Sequence, residues 1–117
     1  MPEDYIRRQS PIFVKTGDFM LWLLQHTEKF PKSERFRLAR RIEDSAFAFH
    51  ELLLQAARSK QPRRILLAAD LELDKLRFYL RLAHDRKLST YQQNHYVSGM
   101  LTEIGRLLGG WLKTAVE

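Results

Sequence analysis

Residues 62–87 read PRRILLAADLELDKLRFYLRLAHDRK, and the spacing of their apolar side chains decides the fold class. Leu66, Ala69, Leu73, Leu76, Leu80 and Ala83 recur every three or four positions, the period that gathers side chains on one face of an α-helix. Pro62 fits the first helical position, where its missing N–H costs no hydrogen bond, and the helix is expected to stop near Lys87. The same segment carries a second pattern. At about 100° per residue, Leu67, Leu71, Phe78 and Leu82 form another apolar stripe roughly 150° from the first, and Asp70, Asp74, Arg77 and Arg81 make a polar strip between the two. One stripe faces the core of the subunit. The other needs a cover, most simply a second copy of the chain, so Leu67, Leu71, Phe78 and Leu82 are the expected oligomer interface. An asymmetric core that buries helices one and three deeply is the alternative.

The helical period continues on both sides of this segment. From Ile12 to about Lys29 it runs through Phe13, Phe19, Met20, Leu23 and Leu24; Phe30-Pro31-Lys32 then breaks it, because proline disfavours a helical residue before it. Within that helix, residues 19–24 point apolar side chains around most of the circumference, adding to the surface that seeks a cover. Ser33 is placed to cap a second helix, which reaches about Ser59 on Leu38, Ile42, Ala46, Phe49, Leu53 and Ala56. After the break at Lys60-Gln61-Pro62 and the third helix, Ser89 or Thr90 can cap a fourth, with Val97, Leu101, Ile104, Leu108 and Trp111 as its stripe and its end shortly before Glu117. Gly105 and Gly109 leave a small-residue groove on this helix. Gly109-Gly110 weakens it by about 1 kcal/mol per Gly relative to Ala, which implies a packing reason such as room beside Trp111. No strand pattern of useful length and no solenoid period occurs. The expectation is an all-α protein, an antiparallel up-down-up-down four-helix bundle, because short connections force sequence neighbours to pack side by side. Residues 11–117 make up this domain; residues 1–10 show no apolar period and are expected to be an irregular or mobile arm.

A length of 117 residues supports one core and not two. With 44% hydrophobic and 29% charged residues, five Gly and four Pro, the composition excludes a low-complexity chain and favours a packed domain. The absence of cysteine rules out disulfides, thiol nucleophiles and Cys-based metal centres. The longest strongly apolar run, Phe19 to Leu24, is far short of the roughly 18 residues a membrane span needs, and the first eight residues lack the apolar core of a signal peptide. A cytoplasmic protein without a membrane partner is expected.

A search for catalytic constellations finds none. His26, His50, His84 and His95 fall on different expected helices, and the residues three before them, Leu23, Phe47, Arg81 and Gln92, are not the acids of a bundle di-metal site. Phosphate-cradling glycine loops and the serine elbow are missing as motifs. Carboxylates such as Glu43-Asp44 and the Asp70/Asp74 pair have basic neighbours at helical spacing and read as solvated or ion-paired faces. The chain is therefore expected to be no enzyme and to use no cofactor or metal.

Its charge is more informative. The net value is +6, and the 20 basic residues comprise 13 Arg and 7 Lys. Residues 32–41 hold five Lys or Arg against one Glu, and residues 58–64 hold four and no acid, a concentration suited to phosphate backbones. Arg35, Arg37, Arg40 and Arg41 in the first cluster, with Arg63 and Arg64 in the second, are candidate contacts with nucleic acid; the bland alternative is ordinary helix-surface charge. Arg77 and Arg81 are a sharper pair, sharing a face at i, i+4 around Phe78 and Tyr79. Pairing of Asp74 with Arg77 and of Asp85 with Arg81 would instead make them structural.

The run Ala69-Asp70-x-x-Leu73-x-x-Leu76-Arg77-Phe78-x-Leu80-Arg81-Leu82, followed by Glu103-Ile104-Gly105-Arg106-Leu107-Leu108-Gly109-Gly110-Trp111-Leu112, resembles the accessory variability determinant (Avd) proteins of diversity-generating retroelements. Phe30-Pro31-Lys32-Ser33-Glu34-Arg35-Phe36 and its basic continuation are similar to that family too, and the resemblance covers roughly residues 12–113. The wider group includes four-helix proteins encoded in intervening sequences of ribosomal RNA genes, whose characteristic segment between helices is not found here. The resemblance implies a noncatalytic bundle assembled as a barrel-like homopentamer, binding RNA or DNA and the retroelement reverse transcriptase, and supporting mutagenic copying of template RNA. It places Arg77 and Arg81 at family arginines on helix three, with a nucleic-acid or polymerase contact. A structural helical adaptor that recognises an acidic protein is the alternative from another class.

Overall fold

The computed structural model describes residues 10–117. Among them are four α-helices and no strand: α1 Pro11–Thr27, α2 Leu38–Arg58, α3 Arg63–Asp85 and α4 Tyr91–Thr114, with a short 3-10 turn, Lys32–Glu34, leading into α2. The helices stand at the corners of a square: α1 packs on α2 and α4, and α3 also packs on α2 and α4, so α1 and α3 lie on a diagonal. Aromatic contacts fix the sense of the α1–α4 pair. Trp22, late in α1, meets Tyr96, early in α4, at 6.0 Å between ring centroids, and Phe13, early in α1, meets Trp111, late in α4, at 6.4 Å. The bundle is antiparallel, as the loop lengths require, and measures 42 × 25 × 24 Å. No helix among the described residues is long and apolar enough to cross a membrane.

The core is built from the stripes that periodicity selects. Leu38, Ile42, Ala46, Phe49, Leu53 and Ala56 of α2 are buried, as are Leu66, Ala69, Leu73, Leu76, Leu80 and Ala83 of α3 and Val97, Leu101, Ile104 and Leu108 of α4. From α1 come Ile12, Phe19 and Leu23. Trp111 only half joins them, packing against the core from its edge. Burial of this apolar set, at about 25 cal/mol per Å² removed from water, supplies the main drive for the helices to assemble, since most helical stability in proteins comes from packing of an apolar face.

Helix ends differ from expectation in instructive ways. Thr90 caps α4 with a complete capping box: its hydroxyl accepts from the Gln93 N–H at 3.0 Å, and the Gln93 side chain accepts from the Thr90 N–H at 2.9 Å. Ser33, by contrast, does not cap α2. It sits inside the 3-10 turn, and α2 begins only at Leu38 with no side-chain cap. The reason is a contact across the fold. The turn buries the Glu34 carboxylate, whose Oε2 accepts from Arg86 Nε at 3.1 Å and Nη2 at 2.8 Å, while Arg37 stands 3.8 Å from Oε1. A buried carboxylate without such partners is costly, so the pairing holds the α1–α2 and α3–α4 connections together. Pro62 lies one residue before the first helical position of α3, its carbonyl accepting from Leu66 N–H, and α1 closes at Thr27 and not at Lys29.

α3 closes with a Schellman arrangement two residues before Lys87, the expected end. Lys87 N–H donates to the His84 carbonyl and Leu88 N–H to the Ala83 carbonyl, which requires the left-handed conformation that Lys87 adopts at φ 66°. A lysine there carries a Cβ penalty that glycine lacks. Lys87→Gly is expected to stabilise the fold by about 0.5–1 kcal/mol, read as a rise of a few degrees in thermal midpoint; an unchanged or lowered midpoint would show that the turn is not held in this conformation.

His26 closes α1 beneath aromatic rings. Its imidazole stacks on Trp22 at 4.6 Å and meets the edge of Phe30 at 5.2 Å. Burial, with Lys29 nearby, pushes its pKa below the ordinary histidine value of 6.5. The folded state therefore binds this proton less readily than the unfolded chain. The contribution to stability is fully present above pH 6.5 and is lost as pH falls below it toward the lower folded value. Denaturant midpoints at pH 7.5 and 5.5 should differ more for the wild type than for His26→Gln; equal differences would remove His26 as the titrating group.

Candidate nucleic-acid interface

With its core stripe turned inward, α3 presents three other sides. The flank toward α4 carries Arg77 and Arg81, which enter a groove of about 470 Å³ together with His84, Asp85, Asn94 and Ser98. The two arginines are not equivalent. Arg77 Nη1 donates to Asp74 Oδ1 at 2.9 Å, as i, i+3 spacing permits, and its other amino group lies over Gly105 of α4. A Cβ at Gly105 would run into that guanidinium, so this glycine makes room for Arg77. Arg81 has no hydrogen-bond or ion-pair partner among the described residues, so the pair with Asp85 that would have made it structural does not form. The neighbouring His84 Nδ1 lies 3.0 Å from the Ser89 hydroxyl, which ties the groove to the α3–α4 turn.

The flank toward α2 lines a second groove of about 530 Å³, with Arg37, Arg40 and Arg41 on one wall and Lys75 and Tyr79 on the other. Arg40 is 3.9 Å from Asp44 and Lys75 is 3.1 Å from Glu72. The Arg40 pair is exposed on both sides and worth little. The Arg41 guanidinium has no acidic partner among the described residues, and neither does that of Arg35, which is exposed on the turn beside Phe36. Both grooves sit toward the end of the bundle where Glu34 and Arg86 join the loops.

Arg63 and Arg64 are at the opposite end. Arg63 is drawn into the fold: Nη1 donates to the Leu112 carbonyl at 2.8 Å, Nε stands 3.7 Å from Glu117, and its backbone N–H donates to the Val116 carbonyl. It fastens the C-terminal segment to the start of α3. Arg64 is exposed without a partner among the described residues. The structure thus gathers Arg35, Arg37, Arg40, Arg41 and Arg81 toward one end, with Arg77 further along α3, and leaves Arg63 and Arg64 apart.

The third side of α3 points away from the bundle. There Leu71 is 61% and Phe78 64% exposed, with Leu67 and Leu82 on the same stripe. α1 mirrors it, since Val14, Leu21 and Leu24 share its outer face and Leu21 is 63% exposed. The expected packing reason for Gly109 and Gly110 is not found in the subunit, because an added Cβ at either would meet nothing.

The family model for bAvd-like proteins matches residues 12–115, from the first turn of α1 past the last of α4. The chain belongs to the bAvd-like family. This is the family of accessory variability determinants, which places the chain in an accessory, noncatalytic type of protein of diversity-generating retroelements. No curated protein matches it at the level required for a relative. The match spans both basic grooves and both outward apolar stripes of this bAvd-like chain. Sequence reasoning overlooked Lys75 and Tyr79 as neighbours of the Arg37–Arg41 cluster. Their positions a turn apart, off both apolar stripes of α3, were the available signal.

Proposed function

We propose that the chain is the noncatalytic accessory subunit that binds nucleic acid and the reverse transcriptase of its retroelement, supporting mutagenic copying of template RNA. The observation that carries this reading is the gathering of partly unpaired arginines in two grooves flanking α3, on a member of this family. Arg77 and Arg81 contact nucleic acid or polymerase from one groove, and Arg37, Arg40 and Arg41 from the other, with Arg35 on the turn beside it; Arg64 adds charge at the far end, while Arg63 acts mainly through the C-terminal segment. The subunits assemble as a homopentameric barrel. Outward stripes on diagonal helices support a ring, because a two-fold contact using one stripe leaves the other in water, whereas head-to-tail contacts of α3 on a neighbour's α1 cover both and close. Five copies carry about +30, so weak phosphate contacts repeat around the assembly.

The test is binding of the purified assembly to labelled RNA and DNA across a salt series, with co-purification against a reverse transcriptase encoded beside the gene. Sequence-tolerant binding that falls steeply with salt, and a stable complex with the polymerase, are expected. Binding to an acidic protein with no affinity for either would favour a structural adaptor.

A further inference from the structure

Phe36 is the most exposed large apolar side chain of the described residues, at 75%, yet it contributes to neither apolar stripe. It lines the α2–α3 groove with Arg37, Arg40, Arg41, Lys75 and Tyr79. From these observations we infer that this groove is a site for unpaired nucleotides, in which a base stacks on Phe36 while the flanking phosphates lie along Arg40 and Arg41. The inference rests on the nucleic-acid reading above and specifies the form of nucleic acid that this groove takes.

An aromatic ring left in water is unfavourable unless something covers it, and here the groove around it holds four cations against the two carboxylates Asp44 and Glu72. That charge balance suits an anionic partner and disfavours a second apolar protein surface. A duplex offers this groove phosphates but hides its base faces in the stack, whereas a single strand offers both phosphate and an open π-face. Phe36 also has no hydrogen-bonding group, so it can stack on any base without selecting one. Tyr79, whose ring meets Phe78 edge-on at 6.1 Å and packs partly on the core, forms the firm floor of the opposite wall. Arg41, with no acidic partner among the described residues, is the cation freest to take a phosphate.

Fluorescence anisotropy of the intact assembly with a labelled single-stranded oligouridylate, its oligothymidylate counterpart and a mixed-sequence duplex tests this. Phe36→Ala is expected to weaken both single strands about tenfold and the duplex by less than about twofold, with oligomer mass unchanged. Phe36→Trp should restore single-strand affinity, and its added indole emission should be quenched by the single strands and not by the duplex. Equal losses on single strand and duplex, or no loss where Arg41→Ala weakens binding, overturn the stacking site. A fall in oligomer mass for Phe36→Ala also overturns it, by showing that a neighbouring subunit covers the ring. Wild-type protein that binds none of the three probes overturns the nucleic-acid reading itself, and this inference with it.

Discussion

A Leu71→Asp, Phe78→Asp double variant is expected to run in light scattering as a folded monomer near 13.9 kDa, where the wild type runs several times heavier. Both side chains stand outward on α3 and are mostly exposed in the subunit, so a carboxylate at either position meets water and leaves the bundle intact. In the assembly the same carboxylates would be buried against a neighbour's α1, at a cost of several kcal/mol per unpaired charge. Repeated at every interface of a ring, that exceeds what an interface of ordinary size can absorb. Leu73→Asp is the contrasting case. Leu73 is buried in the subunit's own core, and a charge there takes about 3–5 kcal/mol or more from a total of about 5–15, so helical signal should be lost along with assembly. Circular dichroism beside the scattering separates the two. A wild-type monomer at micromolar concentration would sink the proposal, and the outward stripes would then need a different partner.

Arg77→Ala combined with Arg81→Ala is the second large effect. On the intact assembly it should weaken binding of unrelated sequences by similar factors, tenfold or more at low salt. The slope of log K against log salt should become shallower by roughly 0.7 to 0.9 for each phosphate that the variant no longer neutralises. Similar factors are expected because the variant removes positive charge, which attracts the phosphates of any sequence alike. The ion pair with Asp74 supplies an internal control. Asp74→Asn removes the carboxylate that now shares Arg77, and should move affinity in the opposite direction, upward. If the double variant binds normally with unchanged mass, the α3–α4 groove is not the site and the α2–α3 groove takes its place. If it dissociates, Arg77 and Arg81 serve the assembly.

How much of this is legible in the chain depends on the range of the interaction concerned. The core stripes of α2 and α3 follow residue for residue from the sequence, and so does the outward position of the second stripe of α3. Both rest on a 3.6-residue period, a property of neighbours within one helix. Thr90 is legible for the same reason, since a capping box closes within four residues. The basic clusters are visible as charge, but not which of their members are paired.

The sequence by itself determined four helices, which face of α2, α3 and α4 is buried, and that one helix carries more apolar surface than a single bundle can cover. Only the tertiary structure decided the rest. Ser33 lost its capping role because Glu34, one residue on, is held by Arg86, 52 residues away. Arg63 was withdrawn from the candidate surface by a carbonyl 49 residues away. Gly105 acquired its reason from Arg77 on a neighbouring helix, and Phe36 acquired cationic neighbours from α3 as well as α2. In each case the deciding interaction is electrostatic or steric and joins positions with no periodic relation, so it exists only once burial of the stripes has set the helices side by side.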